Sequence, residues 1–151
     1  MEYQNTTESD IRLNEQAVDV LRETAKWAYL LSIIGFIGIA LLVVLSFFIG
    51  TFYSTMSTMS GSPNPMEQFG GGALTALYLL FAVLYFFPVY YLFKFASTTK
   101  DALASRDSEL LANGLTYLKS HYKFIGIMMI VILSIYLLIF VFAMIGIAFM
   151  S

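Results

Sequence analysis

The sequence predicts an all-α membrane protein with three transmembrane helices and two cytoplasmic amphipathic helices. Three observations predict it: long uncharged apolar runs, a one-sided distribution of lysine and arginine, and helical spacing of apolar residues in two charged segments. The composition agrees, because 59% of the 151 residues are hydrophobic and only 12% are charged, against about 25% charged residues in typical soluble domains.

Three uncharged runs predict the transmembrane helices. Residues 27–53, 73–93 and 124–150 contain no Asp, Glu, Lys or Arg, and each suffices to cross a hydrocarbon core about 30 Å thick, which takes about 20 helical residues. The first run is too long for the apolar core of a cleaved signal peptide. We expect a single membrane domain over 1–151 with these parts: a disordered tail over 1–8, amphipathic helices over 9–26 and 97–122, transmembrane helices over 27–53, 73–96 and 123–150, and an outer loop over 54–72.

The basic residues predict the orientation. All eight Lys and Arg residues precede the first span or lie at or between the inner ends of the second and third, whereas the loop over 54–72 has only Glu67 as a charged residue. Because short cytoplasmic loops carry an excess of Lys and Arg, we expect a cytoplasmic N-terminus and an external or periplasmic C-terminus.

Two charged segments show helical spacing of apolar residues. In the second of them, Leu111, Leu115, Leu118 and Tyr122 form an apolar stripe, with Asp107 or Ser108 as a helix cap and Gly114 as a tolerated glycine that costs up to about 1 kcal/mol relative to alanine. Such helices either lie in the membrane interface or pack on another helix. Both alternatives remain open.

Reactive groups are scarce in the sequence. There is no cysteine, and His121 is the single histidine, so we predict no catalytic residue, no cofactor and no metal site. Met56, Met59 and Met66 are thioethers in the outer loop, but their spacing is loose, and a flexible loop is the better interpretation. We expect the lipid bilayer as the surroundings of the chain and no nucleic acid as a partner.

Small residues on the first span predict a helix-packing seam. Ala28, Ser32, Gly35, Ser46 and Gly50 fall on one side of the helix, and small side chains let helices approach closely in lipid. Three helices bury little surface between them, so a homo-oligomer or a membrane-protein complex is expected.

Residues 85–95, "YFFPVYYLFKF", hold aromatic residues around a proline. Pro88 predicts a kink, because it has no N–H to donate to the carbonyl of Leu84. Phe86 and Phe87 beside it either fill a gap against a neighbouring helix or line an apolar cavity. At the inner membrane boundary, aromatic and cationic residues are predicted to anchor the helices in the headgroup layer: Trp27, Tyr90, Tyr91, Lys94, Tyr122 and Lys123.

The segments "LRETAKWAYLLSIIGFIGI", "PVYYLFKFA" and "KDAL…RDSELLANGLTYLKSHYKFIGI" resemble an uncharacterised family of small bacterial integral membrane proteins. The resemblance implies a bacterial cytoplasmic membrane and carries no catalytic or ligand-binding residue with it.

The leading hypothesis is a non-enzymatic accessory, scaffold or membrane-organising subunit. The alternative is a small oligomeric channel or transporter, whose pore would use polar residues within the spans: Ser32, Ser46, Tyr78, Tyr85 and Ser134. A membrane enzyme that uses His121 or Asp107 ranks third.

Overall fold

A computed structural model describes residues 14–60 and 70–150 of the chain. These residues form three long α-helices in the order α1 (Glu15–Ser60), α2 (Gly70–Ser105) and α3 (Ser108–Met150). At 1.5 Å per residue, α1 is about 69 Å long. Each helix is long and apolar enough to cross a membrane, as the three uncharged runs predict.

The two predicted amphipathic helices do not occur as separate elements. Residues 15–26 are the first turns of α1, which continues without a break into the apolar run. The segment 97–122 is divided between the end of α2 and the start of α3. The helices therefore extend beyond the apolar runs at the end of the molecule where the lysines and arginines lie.

The turn between α2 and α3 has a defined geometry. Arg106 adopts a left-handed conformation with φ of 54°, and the N–H of Asp107 donates to the carbonyl of Ala102 at 3.0 Å. This pairing ends α2 in a Schellman motif. The Asp107 carboxylate then accepts from the N–H groups of Glu109 and Leu110 at 2.9 and 3.0 Å, which confirms Asp107 as the N-cap of the following helix.

Parts of the predicted ends and loop lie outside the described residues. The tail over 1–8 and residues 9–13 of the first amphipathic segment are among them, as are residues 61–69 of the outer loop. Residues 54–60, predicted as loop, are the last turns of α1, and 70–72 are the first residues of α2. Near the start of α1, the side chain of Asn14 accepts from the N–H of Ala17 at 2.8 Å.

Helix α2 lies between the other two helices. It packs against α1 and against α3, while α1 and α3 make little contact with each other. The buried core lies in the part of the bundle nearer the α2–α3 turn, and contains Ala28 of α1 with Phe95 and Ala96 of α2. Beyond Met128, helix α3 leaves this packing, because every residue from Met129 to Ile147 is exposed.

Candidate functional site

The predicted seam of α1 lies against α2. Ala28, Ser32, Ser46 and Gly50 are buried, and Gly35 is half-buried. A Cβ atom built on Gly35 would lie 2.8 and 2.9 Å from the two methyl carbons of Val89 in α2. The Val89 side chain packs so closely on the backbone of α1 there that only glycine fits without a shift. Gly38, on another side of the same helix, has nothing within 4 Å of its Cβ position.

The two serines of the seam satisfy their hydroxyl groups within α1. Ser32 donates to the carbonyl of Tyr29 at 2.7 Å, and Ser46 donates to that of Val43 at 2.6 Å. Both residues have no exposed surface. The Ser46 carbonyl in turn accepts from the hydroxyl of Thr75 in α2 at 3.1 Å, so the seam includes a hydrogen bond between the helices.

The other proposed pore residues differ in position. Tyr85 and Ser134 are exposed, and Tyr78 is half-buried. The Ser134 hydroxyl donates to the carbonyl of Ile130 in its own helix at 2.8 Å. The structure therefore does not bring the five candidates together along one path within a single chain.

The aromatic stretch of α2 contacts both neighbouring helices. The ring centroid of Phe86 lies 6.0 Å from that of Phe36 in α1, and the centroid of Phe87 lies 5.9 Å from that of Phe124 in α3. The two phenylalanine rings are themselves 6.3 Å apart in an edge-to-face arrangement. These adjacent residues thus contact different helices, and both side chains are also exposed, at 44% and 43%.

Pro88 is buried, whereas its sequence neighbours Phe87 and Val89 are exposed and half-buried. Helix α2 continues through the proline. Its carbonyl oxygen lies 2.7 Å from Nδ1 of His121 in α3. Because a carbonyl oxygen only accepts, this hydrogen bond requires the proton on Nδ1. The single histidine therefore joins α3 to α2 at the level of the proline, a role that the sequence pattern did not indicate.

A second close approach joins α2 to α3 nearer the turn. Gly114 is buried, and a Cβ atom there would lie 2.6 Å from Oγ1 and 3.3 Å from the backbone nitrogen of Thr99. Thr99 has no exposed surface, and its hydroxyl has no hydrogen-bond partner among the described residues. Gly114 was expected to be only tolerated in the helix. Instead it is a position at which α3 comes close to the backbone of α2.

The predicted anchors differ in exposure and in contacts. Lys94 extends towards Tyr90, with Nζ 5.8 Å from the ring centroid, and Tyr90 contacts Tyr91. Trp27 and Tyr122 are exposed, at 57% and 65%. Lys123 is exposed as well.

Two grooves flank α1 near its N-terminal end. The larger, about 1120 Å³, lies between residues 19–30 of α1 and 96–104 of α2 and is called the α1–α2 groove below. The smaller, about 380 Å³, is lined mainly by apolar residues of all three helices, including Leu31, Leu92 and Leu118, and it shares Glu23 with the larger groove. Phe86, Phe87 and Pro88 line neither groove. Among the described residues, no three His, Asp or Glu side chains are grouped so that they could hold a metal ion.

Comparison with known proteins identifies the part of the chain that carries the resemblance. Residues 71–144 match the family of unknown function DUF5362. This match confirms the expected resemblance to an uncharacterised family, while the bacterial origin stays a prediction. The DUF5362 match covers α2 and most of α3, so "LRETAKWAYLLSIIGFIGI" of α1 lies outside it. No curated protein and no solved structure matches the chain.

Proposed function

We propose that this chain is a non-enzymatic integral membrane protein that serves as an accessory, scaffold or membrane-organising subunit. It assembles with itself or with a partner complex in a bacterial cytoplasmic membrane, with a cytoplasmic N-terminus and an external C-terminus. The observation that carries the proposal is the free outer half of α3. Every residue of this apolar segment from Met129 to Ile147 is exposed, so the rest of the described chain does not bury it.

The contrast with α1 and α2 supports this use of α3. The α1–α2 pair is held by a buried seam, a glycine contact and a hydrogen bond between the helices. On α3, Gly126 and Gly146 have open space at their Cβ positions, and small residues are where membrane helices approach each other most closely. A helix of another subunit therefore finds room along α3 that α2 does not occupy.

The burial of the proposed pore serines favours assembly over transport. Ser32 and Ser46 lie in the buried seam and donate to carbonyls of their own helix, so their hydroxyl groups are already satisfied there. A pore would need polar groups that face water.

Purification of the full chain from its native membrane in mild detergent, with quantitative mass spectrometry, tests the proposal. We expect either a defined oligomer or one partner in fixed stoichiometry. A photo-crosslinker at Leu137 of α3, which is 65% exposed, should capture the same species, whereas one at Leu41 of α1, which is 58% exposed, should capture it less. A strict monomer without a stoichiometric partner would contradict the proposal.

A further inference from the structure

We propose that the α1–α2 groove binds a phospholipid whose headgroup carries both a phosphate and a primary ammonium group. The inference rests on the proposed placement of α1 and α2 in a bilayer. The groove lies at the start of the uncharged run of α1, beside Lys26 and Trp27, where headgroups would meet the helix.

The groove changes from apolar to charged along its length. At the end nearer the apolar run it is lined by Tyr29 and Leu30 of α1 and by Ala96 of α2. Towards the start of α1, the lining becomes charged. A phospholipid has the same order of chemistry, because its acyl chains lie in the hydrocarbon core and its charged headgroup lies outside it.

The charges of the groove balance but do not pair with one another across it. Three cationic and three acidic side chains line it. Arg22 pairs with Asp19 at 3.1 Å in the same helix. The other four, Lys26, Lys100, Glu23 and Asp101, have no ion pair among the described residues. A headgroup with both signs of charge would complement all four: its phosphate would accept from the lysines, and its ammonium group would donate to the carboxylates.

Other headgroups would form hydrogen bonds with only the two lysines or would repel the two carboxylates. An anionic headgroup suits clusters of basic residues, and here it would meet Glu23 and Asp101 as like charges. A choline headgroup has a cation without N–H donors, so it can lie over an aromatic ring such as that of Trp27 or near a carboxylate, but it donates no hydrogen bond to Glu23 or Asp101. The primary ammonium group is the cation that donates hydrogen bonds to both carboxylates.

Native mass spectrometry of the detergent-solubilised full chain tests this assignment. The protein is titrated separately with dioleoyl phosphatidylethanolamine, phosphatidylglycerol and phosphatidylcholine. One variant combines Lys26→Gln with Lys100→Gln, and a second combines Glu23→Gln with Asp101→Asn. All four residues are exposed, so neither variant removes packing. Charge-matched controls outside the groove are Arg106→Gln with Lys119→Gln, and Glu15→Gln with Glu109→Gln.

The wild type should bind phosphatidylethanolamine most tightly. The lysine variant should weaken binding of phosphatidylethanolamine and of phosphatidylglycerol by about tenfold, since each basic residue near a lipid surface contributes measurably to binding. The carboxylate variant should weaken binding of phosphatidylethanolamine and strengthen that of phosphatidylglycerol. Neither control should change the order of the three lipids.

The same affinity for all three lipids in the wild type would overturn the assignment, as would equal losses in the groove variants and their controls. The masses of the lipid-free species report assembly independently. A defined oligomer without lipid preference contradicts only the groove assignment. A lipid-selective monomer without a partner contradicts only the proposed assembly function.

Discussion

At the scale of single residues, the same amino acid has opposite roles at different positions of one helix. Gly35 faces Val89 across the α1–α2 contact, whereas Gly38 faces open space. Valine is branched at Cβ and has restricted side-chain freedom, so it cannot easily turn away from an added methyl group. The seam therefore requires glycine at position 35 because Val89 leaves no room for a Cβ atom there.

Gly35→Ala should destabilise the fold by roughly 1–3 kcal/mol, the usual cost of overpacking. Gly38→Ala is the matched control and should be neutral or stabilising by up to about 1 kcal/mol, because alanine is the better helix former. Unfolding of both variants in mixed micelles gives the two free energies. The double variant Gly35→Ala with Val89→Ala should recover part of the loss. If the two alanine variants were equally stable, Gly35 would not be a point of close contact.

Arg106 carries the one positive φ among the described residues other than glycine. A left-handed conformation costs a residue with a Cβ atom about 1–2 kcal/mol, and glycine avoids this cost at the end of a helix. We expect Arg106→Gly to raise the melting temperature in detergent. Arg106→Ala removes the same charge but keeps the Cβ atom, so it should give no gain. A similar rise in both variants would assign the effect to charge instead of backbone conformation.

At the scale of elements, the sequence predicted the spans well and the helix ends less well. Uncharged runs such as 27–53 mark the part of a helix that suits a bilayer, but they do not mark where backbone hydrogen bonding stops. Around 106, the turn depends on a left-handed arginine and on the Asp107 cap. An arginine is not a sequence signal for a left-handed turn, whereas a glycine is. The sequence therefore predicted the segment 97–122 as one helix.

The candidate site was predictable where it depends on one helix. Small residues at helical spacing indicated the side of α1 that carries Ser32 and Gly35. The contacts of Gly114 with Thr99 and of His121 with Pro88 were not predicted, because they depend on the register between α2 and α3. That register joins positions far apart in the sequence, and the spacing within either helix carries no information about it.

The α2–α3 pair offers a direct test of that register. Gly114→Ala places a methyl group against Oγ1 and the backbone nitrogen of Thr99, and a helix backbone cannot yield as a side-chain end can. We expect a loss of about 1–3 kcal/mol and faster hydrogen exchange in the first turns of α3. Gly126→Ala in the same helix meets open space and serves as the control. Unchanged exchange in Gly114→Ala would contradict the close approach.

At the scale of the whole molecule, the eight lysines and arginines predict which end of the bundle is cytoplasmic. Residues 106–107 lie at one end of the bundle, and Thr58 lies at the other end. Because short loops rich in Lys and Arg stay on the cytoplasmic side, the α2–α3 turn and the α1–α2 groove should face the cytoplasm. This orientation also decides which leaflet supplies a lipid to the groove.

Single cysteines measure the orientation cleanly, since the natural chain has none. Thr58→Cys and Glu109→Cys replace exposed residues at opposite ends of the bundle. In spheroplasts of an expressing host, a membrane-impermeant maleimide should label Thr58→Cys at once and Glu109→Cys only after the membrane is permeabilised. The unsubstituted chain is the blank. The opposite order of labelling would reverse the topology and place the α1–α2 groove in the outer leaflet. Labelling of both sites before permeabilisation would mean that these two positions do not lie on opposite sides of a bilayer.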